Sequence, residues 1–260
     1  MKTLACLLLS CTFAVHLIPY GFTQKTYPPD KLTFKYDSVK AVSKVYKSNT
    51  NIKKGYCTVV YPLFNDAVLN NIILKVAVIP IVLDQKRSNS YQGMVKGYID
   101  QFEEIRKNDP GEKSIWTGET KISVVENRKN FVSVLCTKDY FAGGLHDEYS
   151  NIYINYNPLT HQQVTLKNLI KPGKMEELNV IAEKIFLKEQ GLKPNESLES
   201  YNFPHHKFAL AHTFTIDKNG LKFVYDYNEV TAFAAGKINL VIPFNQLKDI
   251  AYPNSILVNN

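Results

Sequence analysis

The sequence predicts an α+β fold, a largely antiparallel sheet with helices packed on one face. Three observations lead there. Short runs rich in β-branched and aromatic residues recur from Phe34 to Ile242. Helical periodicity is confined to three separate stretches. Short polar connections join several of the strand-like runs, which is the mark of antiparallel hairpins.

The elements follow in order. Residues 34–49 combine Phe34, Tyr36, Val39, Val42 and Val45 with lysines and serines, predicting a strand with a bend. Gly55 then opens a second strand, Tyr56 to Tyr61, closed by Pro62. Asn65 is the expected N-cap of a helix through Lys75. Val68, Ile72 and Val76 form its stripe, Leu69 and Ile73 broaden it, and Pro80 marks its end. Val95, Tyr98, Ile99, Phe102 and Ile105 predict an amphipathic helix over 91–107, stopped by Asn108, Pro110 and Gly111.

Residues 115–126 and 130–139 read as a hairpin through Asn127-Arg128-Lys129. Its second strand carries apolar residues on both faces, Val132, Val134 and Cys136 against Phe131 and Leu135, and so should be covered on both sides. Residues 149–156 alternate, with Ile152, Ile154 and Tyr156 opposite Asn151, Tyr153 and Asn155. Leu178, Ile181, Ala182 and Ile185 predict a helix over 174–190, with Gly191 as its stop, and 192–207 reads as a loop. A strand at 210–217 should turn at Asp217-Lys218-Asn219-Gly220, where Asn-Gly can supply positive φ. Leu221, Phe223, Tyr225 and Tyr227 then line one face of its partner. Ile238, Leu240 and Ile242 mark the last strand, and 244–250 suits a short terminal helix.

The amino terminus points to export. Lys2, the apolar stretch Leu4 to Ile18 and the small residues Gly21 and Thr23 follow the order of a secretory signal peptide, with cleavage expected after Thr23. The apolar stretch is shorter than the roughly 20 residues of a membrane span, so no transmembrane segment is expected. Leu8-Leu9-Ser10-Cys11 loosely resembles a lipobox, which keeps a lipid anchor at Cys11 as the alternative to a free periplasmic or extracellular protein. Loss of Lys2 lowers the formal charge from +7 to +6. That excess is spread along the chain without an arginine cluster, which argues against nucleic acid as a partner. Cleavage leaves two cysteines, Cys57 and Cys136, equally compatible with a disulfide and with two buried thiols.

Common catalytic signatures are missing. The sequence has no G-x-S-x-G elbow, phosphate loop, H-E-x-x-H or dinucleotide fingerprint, and no cofactor is expected. His205, His206 and His212 form the one histidine cluster, which reads as a solvated loop because such spacing is a weak metal signal. The segment from Tyr140 to Tyr156 stands out instead. Gly143-Gly144 hinge a bend whose tip is His146-Asp147-Glu148, and Tyr140, Tyr149, Tyr153 and Tyr156 crowd it. A histidine beside carboxylates suits acid–base work, and rings with a polar tip suit sugar stacking or protein contact. Binding is the favoured reading because no nucleophile or metal set accompanies the histidine. Tyr140, Gly143, Gly144, His146, Tyr149 and Tyr156 are its candidate residues.

The same segment carries a family resemblance. Tyr140-Phe-Ala-Gly-Gly-Leu-His146, Asn155-Tyr156-Asn157 and Val164-Thr-Leu-Lys-Asn-Leu169 resemble the domain of unknown function numbered 3298, as do Phe214-Thr-Ile, Tyr227-Asn-Glu-Val and Val241-Ile-Pro243-Phe. Upstream, Val60-Tyr-Pro62-Leu-Phe64 with Leu69-Asn70 is similar to the companion domain numbered 4163. The resemblance covers roughly residues 55–250 and implies a 4163-like half at 55–112 and a 3298-like half at 113–252, the halves sharing one sheet. Before them the residues read as a signal peptide at 1–23 and a tether and first strand at 24–54. Asn157 stands where the family has an acidic residue, His161 where its turn has glycine, and Asn168 where its helix entry has aspartate. Relatives occur in the extracellular part of lysozyme-sensing anti-sigma factors and beside peptidoglycan deacetylase domains. The resemblance implies an exported α+β domain of envelope proteins. Taken with the export signal and the missing catalytic motifs, it leads to the expectation of a non-enzymatic envelope protein that binds a lysozyme-like protein or a cell-wall glycan. A glycan hydrolase or deacetylase using His146 and nearby carboxylates is the alternative.

Overall fold

The computed structural model describes residues 30–44, 46–47, 52–80, 87–109, 111 and 114–258. The expected signal peptide, Cys11 and most of the tether lie outside these residues. The strands are β1 (Phe34–Val42), β2 (Tyr46–Lys47), β3 (Ile52–Lys53), β4 (Tyr56–Phe64), β5 (Thr117–Arg128), β6 (Phe131–Phe141), β7 (Glu148–Asn157), β8 (Gln162–Gln163), β9 (Thr213–Ile216), β10 (Gly220–Tyr225) and β11 (Ile238–Pro243). The helices are α1 (Ala67–Ala77), α2 (Tyr91–Asn108), α3 (Leu166–Leu169) and α4 (Met175–Glu189).

A six-stranded sheet runs in the order β1-β4-β5-β6-β7-β8, beside a three-stranded sheet β11-β10-β9 and the small ribbon β2-β3. Every named pair is antiparallel except β4–β5. That parallel pair needs a long crossover, which α1 and α2 supply. The α+β expectation is met, with a second sheet added to the first.

Side-chain parity assigns the two faces of the large sheet. Cys57, Val59, Ile122, Val134, Cys136 and Ile154 share one core with Leu69 and Ile73 of α1 and Val95, Tyr98 and Phe102 of α2. Residues of opposite parity on β6 and β7 meet the small sheet. The Ser133 hydroxyl lies 2.8 Å from that of Thr215, Asn155 donates to the Phe214 carbonyl at 2.7 Å, and Phe131 joins a second core. Strand β6 is thus covered on both sides, as its two apolar faces predict. The second core forms between α4 and the small sheet, where Phe186 is surrounded by Tyr201, Phe203, Phe208 and Tyr225. The loop expected at 192–207 therefore supplies core side chains.

Local corrections have physical causes. The N-cap of α1 is Asp66, not Asn65. Its Oδ1 accepts from the Val68 and Leu69 amides at 2.9 and 3.0 Å, and an anion suits the positive helix end better than an amide does. Asn65 instead ties down the entry to β1, accepting from the Thr33 amide at 3.1 Å. At the other end of α1, buried Lys138 donates to the Val76 and Ile79 carbonyls at 3.2 and 2.5 Å. Burial holds this ammonium below its ordinary pKa, and the helix-end carbonyls stand in for lost water.

In the 217–220 turn only Gly220 has positive φ, +155°, so no Asn-Gly pair of left-handed residues forms. Glycine is needed because a Cβ there would lie 2.0 Å from the Ile242 carbonyl oxygen. Strand β10 ends at Tyr225, which takes Tyr227 off the strand face expected for it.

Both cysteines are buried free thiols, which resolves the alternative left by the sequence. Cys57 aligns through Gly118 with Tyr140, and Cys136 lies four residues before Tyr140 on β6. Two strand spacings and four residues of rise separate the pair by on the order of 16 Å, far beyond the roughly 7 Å Cα limit for a disulfide. Burial pushes each thiol up to about 11.

Candidate binding surface

The β6–β7 hairpin positions most of the residues singled out by sequence. Its connection turns on Gly143 and Gly144, at φ +83° and +112°, a region that side-chain-bearing residues avoid. Neither glycine is forced by crowding, since a Cβ at either would meet nothing closer than 3.6 Å. Their role is conformational: they let the chain reverse and expose Leu145, His146 and Glu148.

The hairpin sorts its tyrosines by parity. Tyr140 and Tyr156 point into the first core and are 2 % and 0 % exposed. The Tyr140 hydroxyl lies 2.8 Å from that of Thr120, and its ring fits because Gly118 opposite has no side chain. The Tyr156 hydroxyl donates to Asp66 Oδ2 at 2.8 Å. Burial raises the pKa of both phenols, and Asp66 raises that of Tyr156 further. These two residues hold the hairpin in place and present no surface to a ligand, which corrects their inclusion with the exposed set.

Tyr149 has the opposite parity and lies at the surface. Its ring centroid is 5.4 Å from Tyr227 and 5.8 Å from Phe233, which themselves stack at 4.8 Å. Phe233 is 44 % exposed and sits among exposed Ala232, Ala234 and Ala235. Lys237 places its ammonium 4.9 Å from the Tyr227 ring centre and 3.8 Å from Asp226 Oδ1. Asp226 in turn accepts from the Asn151 backbone at 2.7 Å, tying this turn to β7. The cluster thus joins two segments far apart in sequence.

Acidic residues border it. Asp139 lies opposite Glu119 on β5 and opposite Tyr149 on β7. Asp147 Oδ2 accepts from the Tyr149 hydroxyl at 3.3 Å, and Glu119 Oε1 accepts from Tyr56 at 3.0 Å. Burial, then the charges of Asp147 and Glu119, raise the Asp139 pKa. Burial, then Asp139 and Asp147, raise that of Tyr149.

His146 lies exposed in the loop, its Nδ1 3.2 Å from the Asp147 carbonyl oxygen. Asp147 Oδ2 accepts from Tyr149, and among the described residues the contact recorded for the His146 ring is the Asp147 carbonyl. Among the described residues no three His, Cys, Asp or Glu side chains converge as a metal set. His205 and His206 both take left-handed φ in an exposed turn.

A histidine oriented by a carboxylate occurs elsewhere. His161, at φ +53°, brings Nδ1 to 3.1 Å from Asp66 Oδ2 and 3.1 Å from the Tyr156 hydroxyl. Burial opposes ionisation of Asp66, but bonds from Leu69, Tyr156 and His161 outweigh it and hold the carboxyl below its ordinary value. The arrangement clamps the turn after β7 onto the start of α1 beside a hollow of about 340 Å³.

Sequence reading missed Phe233, Lys237 and Asp139. Parity could have found Asp139, which shares a face with Leu135 and Thr137 in the expected strand 130–139. Phe233 lies in a stretch without periodicity, and only tertiary contact joins it to Tyr149.

The fold and surface define a two-sheet α+β protein with an aromatic cluster where the small sheet's connecting loop meets the hairpin. Residues 167–245 match the family described as protein of unknown function (DUF3298). The matched stretch includes Tyr227, Phe233 and Lys237 and begins after the glycine loop. A DUF3298 family member from Bacteroides fragilis has a similar structure, with TM-score 0.70 and 18 % identity, covering 88 % of this chain and 98 % of its own. Another from Pseudomonas aeruginosa gives 0.66 and 17 %, covering 86 % and 96 %. No curated protein matches the sequence significantly.

Proposed function

We propose that this is an exported, non-enzymatic envelope protein that holds a protein partner, of the lysozyme-like kind, against the surface formed by Tyr149, Tyr227 and Phe233. The observation that carries the reading is the clustering of three rings at the surface, with Phe233 44 % exposed. Exposed aromatic groups gain by being covered, and rigid rings give contact area at little entropic cost. Exposed Leu145 on the neighbouring loop extends the apolar character, which favours a protein over a glycan. Export is supported by the order of charged, apolar and small residues in the first 23 positions. The catalytic alternative has little support at His146, whose exposed ring, among the described residues, meets a backbone carbonyl and not a carboxylate.

Calorimetric titration of the protein with lysozyme and with peptidoglycan fragments tests the reading. Lysozyme should bind, and Phe233→Ala should weaken it about tenfold or more. Binding to neither would overturn the proposal, and binding to the fragments alone would replace the protein partner with a glycan.

A further inference from the structure

The uncovered part of the large sheet continues the aromatic surface. The small sheet covers β6 and β7 on the face away from α1 and α2, whereas β1, β4 and β5 carry Lys40, Thr58 and Glu119 in one row on that face. The row continues through Asp139 to Tyr149. Like charges directly opposite one another on neighbouring strands are unfavourable, and Glu119 and Asp139 are such a pair.

The aromatic cluster also contains its own precedent. Around Tyr227, one carboxylate (Asp226) and one ammonium (Lys237) complete a cation–π arrangement. Around Tyr149 the carboxylates recur as Asp139 and Asp147, but among the described residues neither they nor Glu119 forms an ion pair. Among the described residues, the cation of the cluster, Lys237, pairs with Asp226 and Tyr227, and no cation–π contact is made to the Tyr149 ring itself. A ring face beside carboxylates attracts an ammonium or guanidinium by its quadrupole and their charge together.

Beyond Glu119 the face turns basic at Lys40, whose ammonium lies 5.1 Å from the Tyr56 ring centre. We infer that the partner seats a cationic side chain, lysine or arginine, against Tyr149 between Asp139 and Asp147, with Glu119 as the next carboxylate in the row. This deepens the binding reading above and rests on it. The occupant is a basic segment of a protein, chosen because its charge complements the carboxylates while its stem can lie along exposed Phe233.

The test uses the full chain and a capped peptide of alternating lysine and glycine, with its glutamate counterpart as control, followed by NMR shifts and calorimetry. The lysine peptide should bind and perturb the Tyr149 and Tyr227 rings, and the glutamate peptide should not. Affinity should fall several-fold as salt rises from about 10 to about 100 mM, where the screening length shrinks from about 30 to 10 Å. The double variant Asp139→Asn/Asp147→Asn should bind at least tenfold more weakly with an unchanged thermal midpoint. Tyr149→Leu should also weaken binding while keeping most of the packing.

Equal binding of both peptides, or full binding by the double variant, would overturn the inference. If Phe233→Ala weakens lysozyme binding while the double variant does not, the aromatic surface stands and the cationic assignment falls. If neither change affects lysozyme binding, both fall.

Discussion

Phe186 and Phe233 each belong to a cluster of rings, yet the two clusters have opposite physical status. Phe186 is 0 % exposed, and its neighbours lie 5.2 to 6.2 Å away between α4 and the small sheet. Both hydroxyls there are satisfied, Tyr225 donating to the Ala209 carbonyl at 2.7 Å and Tyr201 to Gln190 Oε1 at 3.4 Å. Phe233 has neighbours at similar distances, 4.8 and 5.8 Å, but remains 44 % exposed. Ring geometry alone therefore does not distinguish a core from a contact surface. What differs is whether water has already been removed, and so whether the hydrophobic free energy stabilises folding or remains for association.

That contrast can be broken most severely at Phe186. Phe186→Ala should destabilise the protein by about 3–5 kcal/mol, because the cavity forms where no water compensates, and urea denaturation would measure it. A midpoint near that of the unaltered protein would mean that the second core does not behave as one packed unit.

Asp66 should have the next largest effect. Asp66→Ala removes the cap of α1 and leaves the buried Tyr156 hydroxyl without its carboxylate acceptor, at a cost of about 2–3 kcal/mol. The pH dependence has a definite sign. The folded carboxyl lies below its ordinary 3.8, so its contribution is fully present above that value and is lost as pH falls through the folded pKa. Denaturation across the acid range should show Asp66→Asn losing less stability than the unaltered protein. An equal loss in both would remove Asp66 as the source.

The smallest stability change belongs to the surface cluster. Phe233→Ala should shift folding stability by less than about 1 kcal/mol, while the proposed binding should weaken about tenfold or more. A stability loss comparable to that of Phe186→Ala would make Phe233 a core residue and erase the contrast.

The elements legible beforehand were those whose own residues carry a period. Helix α2 falls at Tyr91–Asn108 against an expected 91–107, and α4 at Met175–Glu189 against 174–190. Tyr156 was legible as a partner of Ile154 on one strand face, yet its place in the candidate set ignored that parity. The turn at Gly220 was located correctly but for a different reason, because the approach of Ile242 comes from a strand still to follow. The N-cap moved one residue, from Asn65 to Asp66, because β1 claims Asn65 through Thr33.

By itself, the sequence determined the α+β class, the main helices, the glycine hinge and the alternation that separates Tyr149 from Tyr156. These depend on local backbone geometry and on periods of two and 3.6 residues. Tertiary structure alone decided that Tyr149, Tyr227 and Phe233 form one surface, that Cys57 and Cys136 remain apart, and that Asp139 faces Glu119. Those outcomes depend on strand order and on the stacking of two sheets, which bring together segments whose separation along the chain leaves no periodic trace.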